Sequence, residues 1–122
     1  MKVVDVVANL INFPSRFNSP GNVSIYNILK ETGYFEMHDQ VSDDIIYNAL
    51  SQHPEHIDEW INYSQDKRTS SGWYFKEEGK DSYIVGYFGG TDSEKVQLRF
   101  TDRIAACAAF IKQESEAIRQ AG

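Results

Sequence analysis

Several protein classes are excluded by what the chain lacks. It has a single cysteine, Cys107, so it cannot form an internal disulfide, which suits a reducing compartment such as the cytoplasm. No stretch approaches the ~18 consecutive apolar residues that a membrane-spanning helix needs. The apolar N-terminal run is interrupted by Asp5 and Asn9, and no small-residue cleavage site follows it. It is therefore predicted to belong to the mature domain rather than to a signal peptide.

Repeats and low-complexity linkers are also missing from the 122 residues. Hydrophobic residues make up 41% of the chain and charged residues 25%, which is typical of a globular protein. A chain of this length can bury one core but is too short for two independent ones. The sequence therefore predicts one domain over residues 1–122.

Lysine and arginine are absent from residues 31–66, which we call the acidic segment. Its nine acidic residues give it a formal charge of −9, whereas the rest of the chain carries +3. Ordinary surfaces mix the two signs, so this segregation predicts an acidic face that attracts a positively charged partner and repels nucleic acid. The alternative is a solvated helical surface that aids solubility. The predicted partner-binding residues are Glu36, Asp39, Asp43, Asp44, Glu55, Asp58, Glu59 and Asp66.

The N-terminal half is predicted to be mainly helical. Apolar residues recur at helical spacing over residues 3–11, although the valines there also suit a strand, so both structures remain open. Residues 15–22 are predicted to be a loop, and residues 23–32 a second helix that ends at Gly33. Ser42 is expected to cap a third helix, with Val41 packing on Ile46. A fourth helix is expected to begin at Pro54 and to bury one face, formed by Ile57, Trp60, Ile61 and Ser64.

The hydrophobic period changes after Gly72. Residues 73–76 and 82–88 predict a hairpin with its turn at residues 79–81, and Gly89-Gly90 is expected to end it. Residues 95–100 predict a third strand that buries Val96, Leu98 and Phe100. Thr101 is expected to cap a last helix that runs to about residue 120 and buries a stripe of Ile104, Cys107, Ala108, Ile111 and Ile118. The predicted fold class is α+β, with N-terminal helices, a three-stranded antiparallel β-meander and a C-terminal helix.

No arrangement of residues predicts a catalytic or cofactor site, and we expect a non-enzymatic protein. His53 and His56 have a spacing found in metal sites, but Pro54 disfavours helical geometry at His53, so the pair is interpreted as a helix junction. Cys107 lies among alanines on a predicted helix and lacks a neighbouring base. The loop at residues 67–72 lacks the glycine pattern of a phosphate loop. Adjacent carboxylates such as Asp43 and Asp44 diverge on a helix and form no acid/base pair.

The aromatic content supports an interaction surface. The chain has seven tyrosines and two tryptophans, which exceeds what a small core buries with every polar tip satisfied. Some of these side chains are therefore expected at the surface as partner anchors, with Trp60 and Trp73 assigned to the core.

The acidic helical half, the junction at residues 66–75 and the strand Tyr83-Ile84-Val85-Gly86-Tyr87 together resemble small bacterial immunity proteins of polymorphic and contact-dependent toxin systems. The resemblance concerns the layout of most of the chain and rests on no diagnostic motif. It implies a cytoplasmic antidote that binds one cognate toxin domain, often a nuclease, and covers its active site. Two other hypotheses remain open: a non-inhibitory adaptor, and a ligand-binding domain or enzyme that uses His38, His53 or His56.

Overall fold

The computed structural model describes residues 2–14, 25–66, 72–88 and 94–121. The elements follow the predicted order of helices, sheet and helix. They are α1 (Val3–Ile11), α2 (Ile25–Glu31), α3 (Tyr34–Met37), α4 (Asp43–Gln52), α5 (Glu55–Asp66), β1 (Gly72–Glu77), β2 (Tyr83–Phe88), β3 (Glu94–Phe100) and α6 (Arg103–Ala121). The α+β fold class is confirmed. The predicted loop at residues 15–22 and the break at Gly89-Gly90 lie outside the described residues.

The first segment is a helix, which decides between the two structures its sequence allowed. Val6, Val7, Leu10 and Ile11 are buried on one side of it. This side packs against α3 and α4. The apolar residues of α1 therefore have the spacing of a helix that buries one face. The carbonyl of its last residue has a hydrogen-bond partner, because the indole Nε1 of Trp60 donates to the Ile11 carbonyl over 3.1 Å.

The predicted end of α2 and the predicted cap of α4 agree with the structure, whereas the predicted start of α2 at residue 23 lies outside the described residues. Gly33 lies beyond the end of α2 with φ at +90°, a left-handed conformation that glycine adopts without strain. Ser42 caps α4, because its Oγ accepts from the Ile45 N–H over 3.3 Å. Val41 and Ile46 are both buried in the core, as a hydrophobic staple requires. The next helix begins at Glu55, one residue after the expected start.

The predicted cap of the last helix was wrong by one residue. Asp102, not Thr101, precedes the first helical residue of α6, and its Oδ1 accepts from the Ile104 N–H over 2.9 Å. A carboxylate is a good helix cap, and its charge also suits the positive end of the helix dipole.

The three strands form an antiparallel meander in the order β1-β2-β3. Phe75 and Val85 are paired across β1 and β2, are fully buried, and face α6, where the Phe75 and Phe110 rings lie 5.9 Å apart. Helix α5 covers the outer edge of β1, since the Ser64 Oγ accepts from the Phe75 N–H over 2.8 Å.

The prediction for β3 was wrong at Leu98. This side chain is paired with buried Val85, so it lies on the helix-facing side of the sheet, yet it is 39% exposed. Strand β3 is at the sheet edge, where the cover given by α6 is thinner than over β1. Phe100 is only partly buried against the core, and the side chain of Val96 lies outside the described residues.

Helix α6 is the centre of the core. Residues 106–111 are all buried, because α4, α5 and the sheet surround this part of the helix. Trp60, Tyr63, Phe13 and Phe75 fill the space around Phe110. No helix in the described ranges is both long and apolar enough to cross a membrane.

Candidate partner-binding surface

Four of the predicted acidic residues, Glu36, Asp39, Asp43 and Asp44, lie near the junction of α3 and α4; we call them the acidic end. Glu36 is on α3, Asp39 follows the α3 C-cap, and Asp43 and Asp44 form the first turn of α4. All four side chains are exposed. None of them forms an ion pair with another residue that the structure describes. The acidic end is therefore a concentration of exposed negative charge without an ion pair among the described residues.

Lys112 of α6 lies near this surface, and its amine donates to other groups. Its Nζ donates to the His38 carbonyl over 2.8 Å and to the Tyr34 Oη over 3.0 Å. Burial lowers the pKa of Lys112, while the charges of Glu116 and Asp43 oppose that change. Desolvation raises the pKa of Asp43, Lys112 lowers it, and Asp44 raises it further. Asp43 is therefore influenced by the charges of both Lys112 and Asp44, without forming an ion pair with Lys112.

A charged network holds α3, which carries part of the acidic end, against α6. The Tyr34 hydroxyl is buried and donates to Glu116 Oε2 over 2.5 Å. Arg119 donates to both oxygens of Glu116, over 2.9 and 3.1 Å. The hydrogen bond from Arg119, helped by that from Tyr34, lowers the pKa of Glu116 to about 2. The carboxylate is therefore ionised at neutral pH and keeps α3 in a fixed position.

The remaining predicted acids form a second group, in which each described member contacts a histidine or an arginine. Asp58 pairs with Arg103, whose Nε also lies 3.6 Å from Glu77. Glu59 Oε1 lies 2.9 Å from the Nδ1 of His56. Glu55 Oε1 lies 3.6 Å from the Nδ1 of His53. The side chain of Asp66 lies outside the described residues.

The structure therefore divides the predicted acidic face into two parts. The acidic end lies at the N-terminus of α4, whereas Glu55, Asp58 and Glu59 follow its C-terminus. A ten-residue helix is about 15 Å long at 1.5 Å per residue, which exceeds the ~8 Å Debye length at physiological salt. The two parts act as separate electrostatic surfaces.

An aromatic pair lies beside the acidic end. The rings of Tyr26 on α2 and Phe35 on α3 have centroids 4.8 Å apart. Tyr26 is 36% exposed, and Phe35 directly precedes Glu36. Aromatic side chains are enriched in binding surfaces, where some of them act as anchors.

The other groups considered from the sequence have ordinary surroundings. The rings of His53 and His56 lie 6.3 Å apart, and each ring faces its own glutamate. Within the described ranges, no three His, Cys, Asp or Glu side chains are arranged to hold a metal ion. Cys107 is fully buried, and burial raises the pKa of its thiol. The candidate anion loop lies mostly outside the described residues.

Sequence reasoning missed the polar partners of the buried tyrosines. Glu114 is 5% exposed and accepts from the Tyr63 hydroxyl over 2.7 Å. A signal was present, because Glu114 lies three residues after Ile111 and four before Ile118, which places it on the buried stripe of α6. No signal pointed to Lys112 and His38, which meet across 74 residues of sequence.

Comparisons with protein-family models, with curated proteins and with solved structures find no match for this chain. The surface described above therefore supplies the evidence for function.

Proposed function

We propose that this domain is an antidote protein that binds a basic toxin domain through the acidic end. The observation that carries the proposal is the contrast between the two acidic groups. Glu55, Asp58 and Glu59 are each matched by a histidine or an arginine. The four carboxylates of the acidic end are exposed and have no such match among the described residues.

Unmatched surface charge favours a partner of opposite sign. Four exposed carboxylates on a firmly held junction attract a cationic surface during diffusional encounter and raise the association rate. Tyr26 and Phe35 supply apolar area next to that charge, which is the kind of contact that slows dissociation. This combination supports binding to a protein rather than to nucleic acid, whose phosphates the acidic end repels.

The antidote role extends the resemblance to immunity proteins. A toxin nuclease has a basic substrate-binding surface, because it must bind phosphates. An acidic domain that occupies this surface competes with the nucleic acid and needs no catalytic group or cofactor of its own. The cytoplasm is the compartment in which such an antidote is proposed to act.

Binding kinetics with a matched pair of variants test the acidic end. The partner is first captured from the native organism by affinity purification and cross-linking, and then produced as a purified protein. The test variant is Asp39→Asn/Asp43→Asn/Asp44→Asn, and the control is Asp58→Asn/Glu59→Gln/Glu77→Gln, which changes the net charge equally. We expect the test variant to slow association about tenfold at low salt and the control to change it less than about twofold.

Thermal melts serve as the folding control, because the Asp58 change also breaks the ion pair with Arg103. Equal effects of the two variants would reject the acidic end as the binding surface.

Growth assays distinguish an antidote from the adaptor alternative. The captured partner is expressed from an inducible promoter with and without this chain. An antidote restores growth that the partner alone arrests, and the test variant restores it poorly. A partner that never affects growth would support the adaptor hypothesis instead.

A further inference from the structure

An apolar groove lies between α1 and α4, next to the acidic end. It encloses about 340 Å³, and most of its lining is aliphatic, contributed by Val4, Val7 and Ala8 on one side and by Ile45 and Ala49 on the other. Val4 is 64% exposed, the highest value among the large hydrophobic side chains of the described residues. Exposed valine beside an open apolar groove is typical of an interaction surface.

The shape of the groove fits a helix. Its two walls are packed helices, and the side chains of a third helix can fill the space between two others by the ridges-into-grooves arrangement. Asn48 and Gln52 are four residues apart on the same face of α4, and they give the groove a polar, uncharged margin. The aliphatic lining requires apolar side chains from the occupant at i, i+3 or i+4, and i+7.

The charges around the groove are mainly negative. Asp44 lies one turn before Asn48 at one end, and Glu55 lies beside His53 of the lining at the other end. Asp5 on α1 follows Val4, and Lys2, which precedes the helix, is the opposing charge among these described residues. Asp44 is in the first turn of α4 and Glu55 follows its last residue, and a helix of this length is about 15 Å long, so the two acids match cationic residues that flank an apolar stretch of about ten helical residues.

We propose that the groove binds an amphipathic helix with basic flanks, presented by the partner that the acidic end attracts. This inference rests on the proposed function for the source of the helix. The apolar face of the helix fills the groove, and its cationic ends face Asp44 and Glu55. The acidic end then governs encounter, while the groove governs how long the complex lasts.

Designed peptides test the groove without the natural partner. The probe is a fluorescently labelled amphipathic helix of leucine and lysine, and its fluorescence anisotropy is followed as the protein is titrated. Two matched peptides replace either every lysine by glutamate or every leucine by serine. We expect the leucine–lysine peptide to bind at least about tenfold more tightly than either of the others, because the groove needs both apolar and cationic contacts.

Two variants locate the bound peptide. Val4→Gln/Ala8→Gln places neutral polar groups in the groove at two exposed positions, which keeps the fold intact. Leu98→Gln makes a similar change at an exposed leucine on β3, away from the groove. The first variant is expected to weaken binding about tenfold and the second less than about twofold.

The outcomes separate this inference from the proposed function. Equal binding to all three peptides, no binding at all, or unchanged binding by Val4→Gln/Ala8→Gln would overturn the groove proposal. If the groove variant weakens peptide binding while Asp39→Asn/Asp43→Asn/Asp44→Asn leaves association of the captured partner unchanged, the groove stands and the acidic-end proposal fails.

Discussion

Asp102 joins two helices through a single side chain. One carboxylate oxygen caps α6 through the Ile104 N–H, and the other accepts from the Tyr47 hydroxyl of α4 over 2.7 Å. The hydrogen bond from Tyr47, followed by those from the α6 backbone, lowers the pKa of Asp102. The contribution of this carboxylate to stability is therefore present above its ordinary pKa and is lost as the pH falls below it.

Replacing Asp102 by alanine removes both the cap and the link to α4. We expect a decrease of about 1–2 kcal/mol in the free energy of unfolding, as for other lost helix caps. Thr101→Ala is the matched control, and its effect should stay within about 0.5 kcal/mol, as for most surface changes. Urea denaturation of both variants gives the comparison. A larger decrease in the free energy of unfolding for Thr101→Ala than for Asp102→Ala would show that Thr101 is the helix cap.

Cys107 is expected to contribute to packing rather than to reactivity. It is fully buried in α6, and burial raises the pKa of its thiol. Cys107→Ser should lower the free energy of unfolding by about 1 kcal/mol or more, because a hydroxyl is placed in an apolar setting. In the native protein the thiol should react with a disulfide reagent only as fast as the fold opens. Rapid stoichiometric labelling of folded protein would disprove this assignment.

At the level of elements, the central strand depends on a close contact at a glycine. Gly86 of β2 is paired with Tyr74 of β1, and the tyrosine ring covers the space where a Cβ would lie. A methyl group there would come within 2.6 Å of the ring atom Cε2. The ring must move before any larger residue can be accommodated.

Gly86→Ala is expected to destabilise the protein by about 1–3 kcal/mol through overpacking. In a Tyr74→Ala background, the same substitution should have an effect below about 0.5 kcal/mol, since the ring that it would strike is gone. A double-mutant cycle by thermal denaturation measures this coupling. Equal effects in both backgrounds would mean that backbone conformation, not the ring, requires glycine.

The elements were largely predictable because their signals are local. The Ser42 cap, the glycine at the end of α2 and the hairpin around Gly79 each depend on a few neighbouring residues, and the structure confirms them. The errors lie where distant parts of the chain decide the outcome. Leu98 is at a position that the alternating pattern of β3 assigns to the buried face. It is nevertheless exposed, because its strand is at the sheet edge.

The same distinction applies to the candidate site. The sequence identifies a run of acids, but their pairing is set by residues far along the chain. Arg103 reaches Asp58 across 45 positions, and Lys112 approaches Asp43 from a helix that begins after the sheet. Counting charges along the sequence therefore predicted one acidic face, whereas the fold places a histidine or an arginine against the described acids of one part and leaves those of the other without an ion pair among the described residues.

At the scale of the whole molecule, stability in acid should depend on Glu116. Its pKa falls from 4.5 to about 2 in the folded protein, chiefly through Arg119 and Tyr34. A lowered pKa gives stability that is complete above pH 4.5 and declines as the pH falls towards 2. Glu116→Gln should lower the free energy of unfolding by about 1–3 kcal/mol at neutral pH, and the difference from the wild type should shrink in acid.

Glu78→Gln is the matched control for that measurement. Glu78 pairs with Arg99 over 3.3 Å, but both side chains are about half exposed, so its loss should change stability by less than about 1 kcal/mol. Urea titrations across the acid range check both variants. A constant difference between Glu116→Gln and the wild type at every pH would show that the carboxylate charge is not responsible.

Because α6 is at the centre of the core and follows the other elements in the chain, the core can be completed only late in synthesis. The helices that carry the acidic end and the groove are synthesised before α6, against which α4 packs. Val6, Ile46 and Trp60 cannot be buried in a complete core until that helix has left the ribosome. A nascent chain therefore exposes apolar surface until α6 is available to cover it. The acidic end and the groove reach their folded arrangement only after α6 has entered the core.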